Sequence, residues 1–378
     1  MDNPINPPAV PFWTEPTLGE NLARHGVSRR DFLSFCGRLA ALLAAGAPLA
    51  ACTAGGPGPT TPGGPSASGP SPSPGAIAST LETLPRPVVV WLQLQECTGC
   101  AESLLRSGET TVEQILLRLL SVDYLELLMA PSGAAAEQAL RAATAQPHLL
   151  VVNGSIPRGA GGAFCTIGGR SAEAVLRDAA QNATAVLAVG ACAVWGSVQA
   201  SRPNPTGAVG VDAVLTDRPV VNVAGCPPVP DVIAATIVQL LTTGKPPALD
   251  EQGRPTFAYG RTIHSACERR PHWGAREFVG VFDDAGARRG WCLRKVGCHG
   301  PETYSACPTV KWNLKAGWPV GAGHPCLGCT ERDFFDRYTP FYAARSAGGG
   351  GNVGGNLGGN GEAAAGAGAG NGRGNGRG

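Results

Sequence analysis

Cysteine is the residue type whose number and spacing stand out in this chain. There are 13 in 378 residues, too many for incidental core thiols in a chain too long to need a disulfide scaffold. Four of them follow short apolar runs: Cys97-Thr98-Gly99-Cys100, Gly190-Ala191-Cys192 and Gly225-Cys226-Pro227-Pro228. Four converging thiolates can hold a [4Fe–4S] cluster or a structural zinc, and the residues alone favour neither. A second group is denser: His264-Ser265-Ala266-Cys267, Cys292, Cys298, Cys307 and Cys326-Leu327-Gly328-Cys329. Its mixture of H-x-x-C and C-x-x-C spacings points to two metal sites more than to three disulfides.

These side chains need elements to position them. Val88 to Leu92, Tyr124 to Met129, Leu149 to Val152, Ala185 to Val189 and Val220 to Val223 are short apolar runs with the character of strands. Helical candidates lie between them, through Val112, Ile115, Leu116 and Leu119 and near 134–145, 171–181 and 231–242. Strands alternating with helices predict an α/β fold with a mostly parallel, doubly wound sheet, whose ligands sit beyond the carboxyl ends of the strands. Three of the predicted strands run into the first four cysteines there. Gly190 and Gly225 let the backbone turn before each ligand, and Pro227-Pro228 stiffens the exit. After Lys245 the alternation stops, and an irregular region rich in Gly, Pro, Trp and Cys needs an internal scaffold of its own.

The flanks read differently. Ser28-Arg29-Arg30-Asp31-Phe32-Leu33, then Arg38 and an uncharged, mostly apolar stretch to Ala51, has the form of a twin-arginine export signal, so residues 1–52 are expected to lie outside the fold. Leu49-Ala50-Ala51-Cys52 has the form of a lipoprotein cleavage site, which makes Cys52 either a lipid anchor or incidental to ordinary cleavage nearby. Residues 53–80 are almost all Gly, Pro, Ser, Thr or Ala, and 346–378 form a Gly/Asn-rich tail; neither can bury a core. This leaves 81–245 for the α/β domain and 246–345 for the irregular one. No stretch reads as a membrane span, and a net charge of +2 argues against nucleic acid as a partner.

Taken in order, Glu96-Cys97-Thr98-Gly99-Cys100-Ala101-Glu102-Ser103, Gly190-Ala191-Cys192-Ala193, Gly225-Cys226-Pro227-Pro228, His264-x-x-Cys267, Gly297-Cys298-His299-Gly300-Pro301-Glu302-Thr303 and Gly323-His324-Pro325-Cys326-Leu327-Gly328-Cys329 resemble the small subunit of exported [NiFe] hydrogenases. The likeness runs from about residue 28 to 342 and implies a flavodoxin-like sheet followed by a cluster-stabilised C-terminal domain. It implies a proximal [4Fe–4S] cluster on Cys97, Cys100, Cys192 and Cys226, a distal [4Fe–4S] cluster on His264, Cys267, Cys292 and Cys298, and a medial [3Fe–4S] cluster on Cys307, Cys326 and Cys329. Cys36, Cys52 and Cys165 receive no ligand role. Electrons would pass from a hydrogen-splitting nickel–iron centre on a partner large subunit, through the three clusters, to a cytochrome or quinone-linked acceptor on the periplasmic side. The family's oxygen-tolerant members carry two extra cysteines where Gly99 and Ser197 stand here, so the proximal cluster is expected to be an ordinary cubane.

Other residues have plainer roles. Glu96 and Glu102 flank the first ligand pair, either relaying protons or capping backbone amides. Trp195, Trp291 and Trp312 exclude water near ligands, and His299 and His324 adjoin ligand motifs without being ligands. In the resemblance, His299 takes the place of a lysine and Asn153 that of a glutamate. Two other readings remain open: an iron–sulfur subunit of a different oxidoreductase, such as a quinone-reducing complex, and an exported binding protein stabilised by zinc or disulfides.

Overall fold

Five of the apolar runs pair side by side as parallel strands. In the computed structural model, which describes residues 29–44, 73, 75–76, 87–107, 121–313 and 315–343, they are β1 (Val88–Gln93), β2 (Ser121–Leu125), β3 (His148–Asn153), β4 (Ala183–Val189) and β5 (Val220–Val223). The sheet order is β2-β1-β3-β4-β5, the flavodoxin-like arrangement, with the strand order reversing between β1 and β3. Register is set by pairs such as Val90 with Leu150, Leu150 with Val186 and Leu187 with Val221. Central strand β3 is buried along its whole length, as a strand covered on both faces must be. Its first residue, His148, is held by two backbone carbonyls, Gln146 O at 2.8 Å and Ala179 O at 2.9 Å.

The described helices of this part include α1 (Arg29–Ala44), α2 (Gly99–Leu105), α3 (Ala134–Thr144), α4 (Ala172–Ala180), α5 (Ala191–Trp195) and α6 (Pro230–Thr243). Of these, α3, α4 and α6 fall on the stretches the sequence predicts, whereas α1, α2 and α5 are additional, α5 standing where a turn is expected after β4. Ser171 caps α4 by accepting from the Ala174 amide, and Glu173 pairs with Arg177 one turn on. Proline opens α6, and Gly244 closes it in the left-handed conformation. The second strand departs from expectation. It starts at Ser121, opposite Val88, and ends at Leu125, so that the apolar Leu127 and Leu128 fall in an exposed turn beyond it. Helix α1, in the segment read as an export signal, packs against α6 and the Thr256–Tyr259 turn, with Cys36 and Ala40 buried.

From Lys245 onward the described chain consists of short helices, single 3₁₀ turns and isolated bridges such as Thr262 with Tyr304 and Phe278 with Cys292. Cys52, most of 53–80, the stretch carrying Val112, Ile115, Leu116 and Leu119, and the tail from 346 lie outside the described residues. Among the described residues, no helix is long and apolar enough to cross a membrane.

Candidate metal centres

Because β1, β4 and β5 are parallel, their carboxyl ends deliver Cys97 and Cys100, Cys192, and Cys226 to one edge of the sheet. Backbone bonds tie the loops together there: the Gly190 amide donates to Val223 O at 2.9 Å, and the Ala191 amide to Gly225 O at 2.7 Å. Ser103 Oγ on α2 donates to Pro228 O at 2.6 Å, fixing the helix that follows the C-x-x-C turn to the third loop. Gly190 has φ 96° and ψ 148°, a region essentially closed to other residues, and a Cβ there would run into Cys100 Sγ.

Burial pushes the Cys100 thiol well above the usual range, and Cys192, Glu96, Cys226 and Cys97 push it further. Burial likewise drives Cys192 up to about 12, with Cys226 and Cys97 adding to it, and raises Cys226, to which Cys97 contributes. Four thiols so close would repel one another as thiolates, and cationic iron is the type of group that lets all four ionise.

His264, Cys267, Cys292 and Cys298 line one cavity, together with Arg269, Arg270, Arg294 and Trp273. Trp273 stands edge-on to the His264 ring, with centroids 4.8 Å apart. Burial holds the imidazole below its ordinary range, and Arg270 and Arg294 lower it further, so the ring is set up as a neutral nitrogen ligand. Cys267 is pushed up to about 11 by burial, while the Arg269 amide donates to its sulfur at 3.4 Å. Arg269 also donates to Val320 O, Trp291 O and Gly321 O, and Arg294 donates to Cys298 O at 2.8 Å while pairing with Glu302 at 2.7 Å.

Cys307, Cys326 and Cys329 line a second cavity of about 700 Å3, shared with Cys226, Trp312, Trp318 and Pro319. Burial raises all three thiols, Cys329 to about 12. The thiol of Cys307 lies 3.1 Å from Ser305 Oγ, and Trp312 lines the same cavity. The candidate ligand sets adjoin one another: the Cys326 amide donates to Cys298 Sγ at 3.4 Å, and Cys226 of the first set lines the cavity of the third.

The residues fit iron–sulfur clusters better than single ions. Among the described residues, no three of His, Cys, Asp or Glu close round one metal ion. The second and third sets line cavities, as ligands of a multi-atom group do, whereas zinc thiolates sit about 2.3 Å from a common point. All described cysteines are unpaired thiols. Cys165 is half-buried, raised by burial and then by Glu126 and Glu96, and belongs to none of the three sets.

Glu96 accepts from Gln93 Nε2 at 2.8 Å and Asn153 Nδ2 at 3.4 Å, yet burial still raises its carboxyl. These bonds hold it to the carboxyl ends of β1 and β3, whereas Glu102 is exposed on α2. His299 is buried and stacked on Tyr338, with centroids 4.0 Å apart, and His324 lines the cavity of the third set. Three arginines that the sequence reading had not singled out, Arg254, Arg269 and Arg294, fasten the irregular region from within.

A flavodoxin-like sheet with thiols at its carboxyl edge, continued by two further thiol-lined sites, defines a metal-binding redox architecture. Two family models divide the chain along that line. Residues 97–240 match the 20 kDa subunit of NADH ubiquinone oxidoreductase, and 259–342 match the C-terminal part of the NiFe/NiFeSe hydrogenase small subunit. The chain is 43% identical over 324 residues to the uptake hydrogenase small subunit of Azotobacter vinelandii, covering 85% of this chain and 84% of that one. It is 42% identical over 326 residues to the hydrogenase-1 small chain of Escherichia coli, covering 85% and 81%. Among solved structures, the Ni-Fe-Se hydrogenase of Desulfomicrobium baculatum aligns with a TM-score of 0.65 and 32% identity, over 69% of this chain and 100% of that one. This chain belongs to the [NiFe] hydrogenase small-subunit family. The first match, to 97–240, contains the four strand-end cysteines and none of the other seven candidate ligands.

Proposed function

We propose that this chain is the electron-transfer subunit of an exported, H2-oxidising [NiFe] hydrogenase, pairing with a large subunit that carries the nickel–iron centre. Cys97, Cys100, Cys192 and Cys226 would hold the proximal [4Fe–4S] cluster, Cys307, Cys326 and Cys329 the medial [3Fe–4S] cluster, and His264, Cys267, Cys292 and Cys298 the distal [4Fe–4S] cluster. Bound there, the clusters supply one-electron redox chemistry between the partner's centre and an external acceptor. The observation that carries the reading is the adjacency of the three ligand sets: Cys226 lines the cavity of Cys307, Cys326 and Cys329, and the Cys326 amide donates to Cys298 Sγ at 3.4 Å, so the sites follow one another in series.

The rest of the chain serves that series. Cys307 and Cys326 of the medial set are buried and Cys329 is half-buried, while Cys97 and Cys226 at the sheet edge are exposed. Exposed Leu127, Leu128, Phe164 and Val198 give the part of the chain that carries this edge the apolar surface a large-subunit partner would cover. Neutral His264 in place of a fourth thiolate favours the reduced state of the distal site. Export by the twin-arginine route, with Cys52 as the membrane anchor, completes the reading and places the complex at the periplasmic face of the membrane.

Pro319 supports a three-iron medial group, since it lines that cavity beside the three cysteines and offers no donor atom. In the purified complex, Pro319→Cys is expected to replace the [3Fe–4S] electron paramagnetic resonance signal by that of a reduced [4Fe–4S] cluster, add about one iron per chain and lower the medial potential. An unchanged signal and iron content would contradict the medial assignment.

A further inference from the structure

The rim of the distal site carries a charge pattern that the ligand set does not explain. Its inner cations are spent: Arg269 is bound by three carbonyls, and Arg294 is clamped between Glu302 and Cys298 O. Outside them stand Arg261, Arg270, Arg276, Arg289 and Lys295, all exposed, and among the described residues none forms an ion pair. Their places tie them to the site. Arg270 lines the distal cavity itself, and Arg261 lies three residues before His264. Lys295 Nζ lies 5.2 Å from the Phe278 ring, which stands edge-on to Trp273, the ring packed on His264. Arg276 follows Trp273 in the same turn, its amide donating to Trp273 O. Arg289 lies over Trp291, whose carbonyl anchors Arg269.

The carboxylates of the same stretch do not balance these charges. Glu277 is engaged by His272, Glu302 by Arg294, and Asp284 caps the helix at Ala285–Arg288, accepting from the amides of Gly280, Val281 and Ala287. From 261 to 302 only Glu268 and Asp283 are exposed acids, against the five exposed cations named and Arg288, which donates to Asp283 O. Val281 and Phe282 are exposed on the same segment, and Phe282 packs edge-on against exposed Tyr342. Exposed cations beside the distal site, with exposed apolar side chains on the same segment, make a docking surface with a defined sign.

We propose that this face docks an acidic redox protein, the carboxylates of the carrier meeting Arg261, Arg270, Arg276, Arg289 and Lys295 and its apolar contact meeting Phe282 and Tyr342. The inference rests on the electron-transfer reading above and adds the chemistry of the partner. Encounter is steered by charge, so it is fast at low ionic strength and slows as salt screens the face over about 10 Å at 0.1 M.

The test uses the purified two-subunit complex under H2 and two redox dyes of opposite charge, anionic indigo tetrasulfonate and cationic methylene blue. The kcat/KM for the anion is expected to fall about tenfold between low salt and 0.5 M salt, while that for the cation stays level or rises. The triple variant Arg276→Glu, Arg289→Glu, Lys295→Glu, which touches no ligand, is expected to invert the preference while iron content and the cluster spectra stay unchanged. Equal salt dependence of the two dyes, or a preference untouched by the triple variant, would overturn the docking proposal and leave the hydrogenase reading standing. Failure of H2 to reduce either dye through an iron-replete complex would overturn both.

Discussion

Gly190→Ala is expected to empty the proximal site. The new methyl group meets Cys100 Sγ, and the backbone at φ 96° and ψ 148° resists any side chain, so two penalties fall on one ligand loop. Backbone strain of about 1–3 kcal/mol and overpacking of about 1–3 kcal/mol act together, and the loop can relieve both only by moving Cys192 away from Cys100. Iron should fall by about four atoms per chain, and H2-dependent dye reduction should be lost because the series is cut at its first member. Gly244→Ala is the control. It also has a positive φ, 62°, but a Cβ there meets nothing within 4 Å, so it should cost about 1 kcal/mol with iron and activity intact. Full iron in Gly190→Ala would contradict the proposed geometry.

Arg254→Met should produce the second large loss, this time in stability. Arg254 is 3% exposed and donates to Asp250 Oδ2 at 2.8 Å, Thr330 O at 2.8 Å and Glu331 Oε1 at 3.3 Å. It also lies 5.2 Å from the ring of Tyr259, whose hydroxyl donates to Ala224 O just before the Cys226 loop. The guanidinium thus fastens the segment beyond β5 to the loop that carries Cys326 and Cys329. Removing it leaves the buried Glu331 carboxylate without its ion partner and the half-buried Asp250 with only the amides of Gln252 and Arg254, at a cost of about 3–5 kcal/mol. The thermal midpoint of the complex should fall by roughly 10 °C, with medial iron lost before proximal iron. Arg254→Met combined with Glu331→Leu should recover part of the loss by removing one stranded charge. A midpoint within about 2 °C of the parent would show that the network contributes little.

The sheet was legible because buried parallel strands read as unbroken apolar runs, and β1, β3, β4 and β5 appear within two residues of their expected limits. The second strand was misplaced at its far end because Leu127 and Leu128 extend the apolar run without extending the pairing. The ligand candidates were legible for a different reason: cysteines at strand ends and in C-x-x-C turns have few other uses in such a chain. Tight turning at Gly190 was also foreseeable, but the approach of Cys100 Sγ was not, since it brings together residues 90 positions apart. Arg254, Arg269 and Arg294 were invisible because an arginine in an irregular, polar stretch reads as a solvated charge. Only the folded chain shows Arg254 reaching Thr330, a contact between residues 76 positions apart, or Arg269 collecting three carbonyls.

The central claim, three clusters in series on this one chain, is tested most directly by iron and acid-labile sulfide analysis of the anaerobically purified small subunit. The account predicts about eleven iron and about twelve sulfide per chain, from two four-iron groups and one three-iron group. About eight of each would remove the medial site from the series, and a colourless, zinc-containing protein without sulfide would contradict the account altogether.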